Sequence, residues 1–401
     1  MPALDGMRVL DMTQYEAGPS CTQWLAWLGA DVVKIESPSG DPGRGTFANG
    51  AADSQYFLNY NSNKRSLVLD LSSQGGRDLL LRLVPRFNVF VENFGPGVIE
   101  RLDIGYDAMR PLNPKLIYAR IKGFGLTGPY AAYRVFDPLA QAAAGTLSVT
   151  GDPEGPPLQP GPTLSDSGTG MQTALAITAA YVQLLNTGQG QQIEVSMQEA
   201  TLSFMKTRAV TQWAGERPMP RRSALNMAPS GMYVCAPGGP NDYVYLSIVT
   251  SRMWDTLCVA IDKPHLATDP RFATPQARTQ HTAAVRSEIT EWTSRRDKHE
   301  AMKLLAEAGV PASAVFDTVD VFNDPHLAAR GFFQTVDHPQ AGPVRLMTSP
   351  LWLSASPTRL ARAPLLGEQS EEVLRGELHL TDAELSGLKD QGIIGTGLPV
   401  V

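Results

Sequence analysis

Between residues 7 and 36 the chain alternates short, unbroken apolar runs with a segment of helical periodicity. MRVLDM reads as a strand buried on both faces, and TQYEAGPS as the polar turn after it. CTQWLAWLG carries apolar residues at helical spacing, with Pro19 and Ser20 suited to a helix start and Gly29 to its stop. DVVKIE is the next strand, and a strand–helix–strand unit implies parallel strands joined by a crossover. The pattern recurs: GGRDLLLRLVP reads as a helix, NVFVEN and KLIYARIKGF as strands, Gly168–Leu185 as a long helix of small residues, and QQIEVSM as a strand after it. These elements predict an α/β fold whose core is an open Rossmann-like parallel sheet with helices on both faces.

The pattern changes after Trp213, where GERPMPRRSAL is polar and proline-bearing as far as Asn226. MYVCAP and YVYLSIV then flank GGPND, which reads as a hairpin turn, and SRMWDTLCVAI, AAVRSEITEWTSRR and HEAMKLLAEAG read as helices. VRLMTSPLWL is strand-like, and a charged helix spans Asp382 to Lys389. The division expected is a large domain over 1–215, a smaller α+β domain over 225–325, and a segment over 330–401 that returns to the large domain.

Composition narrows the function classes. The 401 residues are 43% hydrophobic and 18% charged, which suits a globular enzyme and is too apolar for disorder. A net charge of −6 offers no broad basic surface to nucleic acid or anionic membrane. Cys21, Cys235 and Cys258 are far apart in sequence, which argues against a disulfide framework or a zinc site and fits a reducing cytosol. MPALDGMRVLDMT lacks the pattern of a secretory signal, and no apolar run is long enough for a membrane span, so a cytoplasmic protein is expected. All six histidines lie at or beyond His265, so chemistry in the first domain is expected to use another base.

GFGLTG (Gly123–Gly128) has the spacing of a dinucleotide fingerprint after a strand, but Pro129 and Tyr130 follow where a helix should begin, and the first βα turn reads TQYEAGPS. A tight loop lining a site is the better reading. SDSGTG (Ser165–Gly170) places Asp166 just before a small-residue helix, either as an N-cap or as a carboxylate presented to a cleft. Local sequence alone favours the cap. VENFGPG (Val91–Gly97), followed by Arg101, puts an amide, an aromatic and glycine backbone at a strand's C-terminal end, where ligands gather in open α/β sheets. Lys64, Arg65, Arg101, Lys122 and Arg134 are either solvated or suited to phosphates. No HExxH, GxxxxGK[ST] or GxSxG motif is present.

Taken in order, these segments resemble the class III CoA-transferases, the CaiB/BaiF superfamily that includes formyl-CoA:oxalate and carnitine CoA-transferases. The resemblance runs from LDGMRVLDMT, AGPSCTQWLAWLGADVVKIESPSGDPGR and NKRSLVLDL through VENFGPGVIERL, NPKLIYARIKGFGLTGPY, FDPLAQAAAG, SDSGTG and TGQGQQIEVSMQEA to GVPASAV, NDPHLAARGFF and APLLGEQSEEVL. It implies transfer of coenzyme A from an acyl-CoA to a small carboxylic acid, with Asp166 as the nucleophile that forms an aspartyl anhydride and then an aspartyl-CoA thioester. Asp166 is then expected to be ionised, with a low or ordinary pKa. Glu16, Tyr56, Phe136 and Asp137 are implied to line the active site, and Leu69, Asn93, Phe94, Arg101 and Arg134 to contact CoA. No metal and no nicotinamide is implied, and the partner expected is a second copy in an interlocked homodimer.

The racemases of the same superfamily carry a histidine in the loop before FDPLA-like sequence; here Phe136 stands there, which disfavours proton exchange. A silent CoA-binding protein would share the fold but has no use for Asp166. Formyl-CoA enzymes carry a glutamine after the first strand and a tyrosine in the later loop, where this chain has Glu16 and Phe136, and GGPND is too short for their glycine-rich cover loop. A Glu16 beside Asp166 would raise that carboxyl's pKa or repel oxalate, unless it is solvated and inert. An acceptor other than oxalate is therefore expected, such as a different dicarboxylate or a hydroxy acid.

Overall fold

The computed structural model describes residues 1–51, 53–209, 215–221 and 223–395. These form two compact units. The first comprises Met1–Ser148, Gln159–Met219 and the chain from Arg330 onward, and the second Val149–Leu158 and Pro220–Ala329.

In the first unit the strands are β1 (Arg8–Met12), β2 (Asp31–Glu36), β3 (Arg65–Leu69), β4 (Val89–Glu92), β5 (Ile117–Lys122) and β6 (Gln192–Ser196). They pair in parallel in the order 3-2-1-4-5-6, and a short antiparallel strand, Ile394–Gly395, closes the edge beside β3. The open parallel sheet is the one expected from the alternating runs, with Arg65–Leu69 as a further strand that they did not include. Both faces are covered, so successive strand residues feed opposite cores. Leu10, Met12, Val33, Ile35, Leu67 and Phe90 pack on one side, and Val9, Val32, Val89, Val91 and Ile117 on the other.

The helices of this unit include α1 (Ala17–Trp27), α2 (Gln55–Tyr60), α3 (Gln74–Leu83), α4 (Val98–Arg101), α5 (Tyr106–Met109), α6 (Asp137–Ala143), α7 (Leu164–Thr187) and α8 (Met197–Leu202), and the expected charged helix forms at Asp382–Asp390. The small residues of α7 have a packing purpose. A Cβ built on Gly170 would lie 2.7 Å from the Ala17 carbonyl oxygen and 2.8 Å from Ser20, so only glycine lets α1 approach this closely. That approach sets the start of α1 against the start of α7. The strand expected over VRLMTSPLWL ends at Met347, after a hairpin of Phe333–His338 and Gly342–Met347.

The second unit holds an antiparallel sheet of β7 (Gly231–Val234), β8 (Tyr243–Leu246) and β9 (Ala312–Ala314). The expected hairpin turn at GGPND joins β7 to β8, with the Gly239 N–H donating to Asp242 Oδ2 at 2.7 Å. The expected helices form at Ser251–Ala260, Thr282–Thr293 and Lys298–Glu307, around a core that includes Trp254, Phe272 and Ile289. The polar stretch read between Trp213 and Asn226 lies partly outside the described residues. Among the described residues no helix is long and apolar enough to cross a membrane.

Candidate active site at the sheet's switch point

Strand order reverses between β1 and β4, and the loops leaving their carboxyl ends stand where ligands usually bind in such sheets. Asn93 stitches the two loops together. Its Oδ1 accepts the Gln14 N–H at 2.9 Å and its Nδ2 donates to the Gln14 carbonyl at 2.8 Å.

Beneath the β1 loop lies a layer of buried charge. Lys34 donates to the Thr13 carbonyl and pairs with Asp41 Oδ2, each at 2.7 Å, while Lys64 pairs with Asp11 at 3.0 Å. Asp41 Oδ1 accepts the N–H of Tyr15 at 3.2 Å, and Tyr15 is held in the left-handed region at φ 62°. That conformation is sparsely populated for a bulky residue and persists because this network fixes both sides of it. Further along, Glu92 takes Arg120 at 2.7 Å and Lys122 at 2.8 Å, and Arg65 pairs with Asp31 and Glu372. Lys64, Arg65 and Lys122 are therefore bound in ion pairs and do not form the phosphate-binding set their spacing suggested. Buried lysines and acids at strand ends neutralise one another at close range, because neither could be desolvated alone.

Glu16 follows this loop at the N-cap position of α1, yet its side chain does not cap its own helix. It is 4% exposed, which removes the solvated reading. Glu16 Oε1 accepts the Tyr60 hydroxyl at 2.8 Å, the Ser167 hydroxyl at 2.7 Å and the Thr163 hydroxyl.

Asp166 lies in the first turn of α7 and is not its N-cap; Thr163 holds that position without a side-chain capping bond. Asp137 does the capping from α6. Its Oδ1 accepts the N–H groups of Ser165 at 2.9 Å and Asp166 at 3.1 Å, and its Oδ2 accepts Gln141 Nε2 at 2.6 Å. The N–H groups that would otherwise favour an anion at a helix start thus already face a carboxylate. The Asp166 carboxyl accepts no hydrogen bond from any described residue. Burial, then Glu16, then Asp137 push its pKa from 3.8 up to about 8. The expectation of an ordinary, ionised Asp166 is overturned, because the cation or hydrogen bonds that would hold it down are spent elsewhere.

Aromatic side chains wall the site. Tyr56 and Tyr60 lie edge to face at 5.2 Å, and Tyr15 meets Phe136 edge to face at 6.0 Å. Burial and the charges of Glu16 and Asp166 push the Tyr56 hydroxyl pKa up, so it stays a neutral donor. The other expected positions separate. Phe94 is fixed by its N–H to Glu92 Oε2 at 2.9 Å and by Lys122 donating to its carbonyl at 2.6 Å. Arg101 and Arg134 are exposed. The Leu69 side chain is wholly buried in the core at the end of β3. The GFGLTG loop leads into turns until α6 starts at Asp137, and its Leu126 N–H donates to Glu194 Oε1 at 2.5 Å, which is not the geometry of a dinucleotide loop.

Sequence reasoning missed Tyr60, Thr163 and Ser167, the hydroxyls on Glu16. The available signal was spacing. Tyr56 and Tyr60 are four apart on one helix, and Thr163 and Ser167 bracket Asp166 four apart on another.

The chain matches CoA-transferase family III over residues 4–370. It belongs to that family. A formyl-CoA:oxalate CoA-transferase from Streptomyces coelicolor is 42% identical over 98% of this chain and 99% of its own length. One of the same name from Rhodopseudomonas palustris is 37% identical over 98% of this chain and 97% of its own. Among solved structures, a CAIB/BAIF family protein from Brucella suis superposes with a TM-score of 0.83 at 31% identity, covering 93% of this chain and 99% of that one. A hypothetical protein from Mycobacterium tuberculosis gives 0.81 at 28% identity, with the same coverages. The enzyme class and superfamily implied by the motifs are thereby established for this class III CoA-transferase.

Proposed function

We propose that this enzyme moves coenzyme A from an acyl-CoA donor to a small carboxylic acid through covalent intermediates on Asp166. The observation that supports the reading is a partly buried Asp166 carboxyl that accepts no hydrogen bond from any described residue and lies beside Glu16 and Asp137, in a CoA-transferase chain. An ionised Asp166 oxygen attacks the donor thioester carbonyl; the C–S bond breaks and the CoA thiolate leaves, giving an aspartyl anhydride. The thiolate attacks the aspartyl carbonyl and expels the donor acid as its carboxylate, leaving an aspartyl-CoA thioester. The acceptor carboxylate attacks that thioester and releases thiolate, which then attacks the acceptor carbonyl of the second anhydride. A new acyl-CoA departs and the Asp166 carboxylate is restored. One anion enters and one leaves, so the cycle gains or loses no proton, and thioester-for-thioester exchange is near balance.

Position and exclusion of water are what the protein supplies. Asp137 fixes the turn that carries Asp166, and Tyr15, Tyr56 and Phe136 shield anhydrides that water would hydrolyse. Asn93, Phe94, Arg101 and Arg134 are the positions we assign to CoA, with the two arginines suited to its phosphates. The names of the relatives make formyl-CoA and oxalate the first donor and acceptor to test. We assign a second copy of the chain as partner, since Met171, Leu175, Val182 and Leu185 expose one apolar face of α7.

The test is an exchange assay with a panel of acyl-CoA donors and isotope-labelled acids, read by mass spectrometry. Label should enter a CoA thioester in the wild type and not in Asp166→Ala. Label transfer surviving that substitution would refute the covalent role. Solvent deuterium entering the acyl chain of the donor, without transfer, would refute the transferase reading.

A further inference from the structure

Glu16 is a buried charged group that none of the transfer steps uses. Three hydroxyls donate to its Oε1, which takes them as a carboxylate acceptor. Its Oε2 accepts no hydrogen bond from any described residue, so half of the anion's acceptor capacity is left over. Two of the three hydroxyls, those of Thr163 and Ser167, flank Asp166 in the same helical turn, which places the anion next to the nucleophile.

The group cannot easily swing away. Its carbonyl accepts the Ser20 N–H at 2.7 Å, the Tyr15 N–H before it is tied to Asp41, and Lys34 holds both Asp41 and the Thr13 carbonyl. Gly170 keeps α1 pressed to α7. Asp137, the other anion facing Asp166, has both oxygens occupied by Ser165, Asp166 and Gln141.

We infer that Glu16 determines acceptor specificity: it selects short acids that carry a hydroxyl donor beside the reacting carboxylate, such as 2-hydroxy acids, over dicarboxylates of the same length. The inference rests on the transferase reading. Once Asp166 is a thioester its own charge is gone, and Glu16 is the anion with free capacity that the acceptor meets. An acceptor short enough to have its second polar group close to Asp166 brings either a hydroxyl, which can donate to Oε2, or a second carboxylate, which the fixed charge repels at close range. This is a property of the residues of this chain, and it runs against the acceptor named for its relatives.

The experiment uses the full-length enzyme and acceptors paired by length: glycolate against oxalate, and 3-hydroxypropionate against malonate. Acyl-enzyme on Asp166 is first measured by intact-mass spectrometry with a donor panel, then kcat/KM is measured for each acceptor. The hydroxy acid should exceed its paired dicarboxylate by about tenfold or more, and Glu16→Gln should lower that ratio at least about tenfold. Because the ratio is taken within one enzyme, a change in Asp166 reactivity common to both acceptors cancels. Tyr60→Phe keeps the charge and should leave the ratio within about threefold. It keeps the test alive should Glu16→Gln not fold, as does the wild-type ratio. A wild type that prefers the dicarboxylate, a ratio indifferent to Glu16→Gln, or one that collapses in Tyr60→Phe would overturn the inference. No acyl-enzyme with any donor would instead overturn the transferase reading, and this inference with it.

Discussion

The raised pKa of Asp166 predicts how its first half-reaction depends on pH. With a pKa of about 8, only about a tenth of sites are ionised at pH 7 and about a hundredth at pH 6. The carboxylate is the nucleophile, so acyl-enzyme formation should rise about tenfold from pH 6 to 7, about fivefold from pH 7 to 8, and level off above. The assay is single-turnover mixing with acyl-CoA, quenched and read as acyl-enzyme mass. The groups facing Asp166 are Glu16, Asp137 and Tyr56, with Tyr60 on Glu16, and burial keeps both tyrosines neutral throughout this range. Lys64, lowered to about 8 by burial, titrates in the same window beneath the loop, so the inflection needs an assignment. Glu16→Gln provides it. Removing the charge next in weight after burial should move the Asp166 inflection down and leave Lys64 in place. The same shift has a cost in stability. Asp166 is protonated in both folded and unfolded chains below pH 3.8, and stability is lost as pH rises from there to 8. By pH 7 the loss is on the order of 4 kcal/mol, and Asp166→Asn, neutral at every pH, should gain denaturant resistance by a margin that widens from pH 4 to 8. A rate flat between pH 6 and 8, or an inflection unmoved in Glu16→Gln, would refute the electrostatic argument.

Three further substitutions probe the scaffold. Gly170→Val should destabilise by about 1–3 kcal/mol in urea unfolding, because its side chain would overlap the Ala17 carbonyl and Ser20, and acyl-enzyme formation should slow as α1 is pushed from α7. Asp137→Ala removes the acceptor of two helix-start N–H groups, so a loss of about 1–2 kcal/mol is expected in the same measurement. It should also lower the Asp166 inflection, since a negative charge has gone. Asn93→Ala breaks both bonds to Gln14, each contributing about 1 kcal/mol, and should raise KM for acyl-CoA more than it lowers kcat in steady-state assays.

The sheet was legible in the sequence because strands buried on both faces read as unbroken apolar runs and the crossovers between them carry a different period. MRVLDM, DVVKIE and NVFVEN gave β1, β2 and β4, and with the helices between them an open parallel sheet; the strand order came only with the structure. Asp166 could be picked out by its motif, although its local context suited a cap better. The charges were not legible. Lys34, Lys64, Lys122, Glu36 and Glu92 look like surface residues in one dimension, and only folding brings strand ends together so that they pair. The state of Asp166 was decided the same way. A carboxyl at a helix start is ordinarily favoured as an anion, and here Asp137, 29 residues upstream, takes the N–H groups while Glu16, brought in by the α1–α7 contact, adds a second charge. Sequence fixes which groups are available. A pKa depends on distances and burial between residues far apart in the chain, and those exist only once the helices have packed.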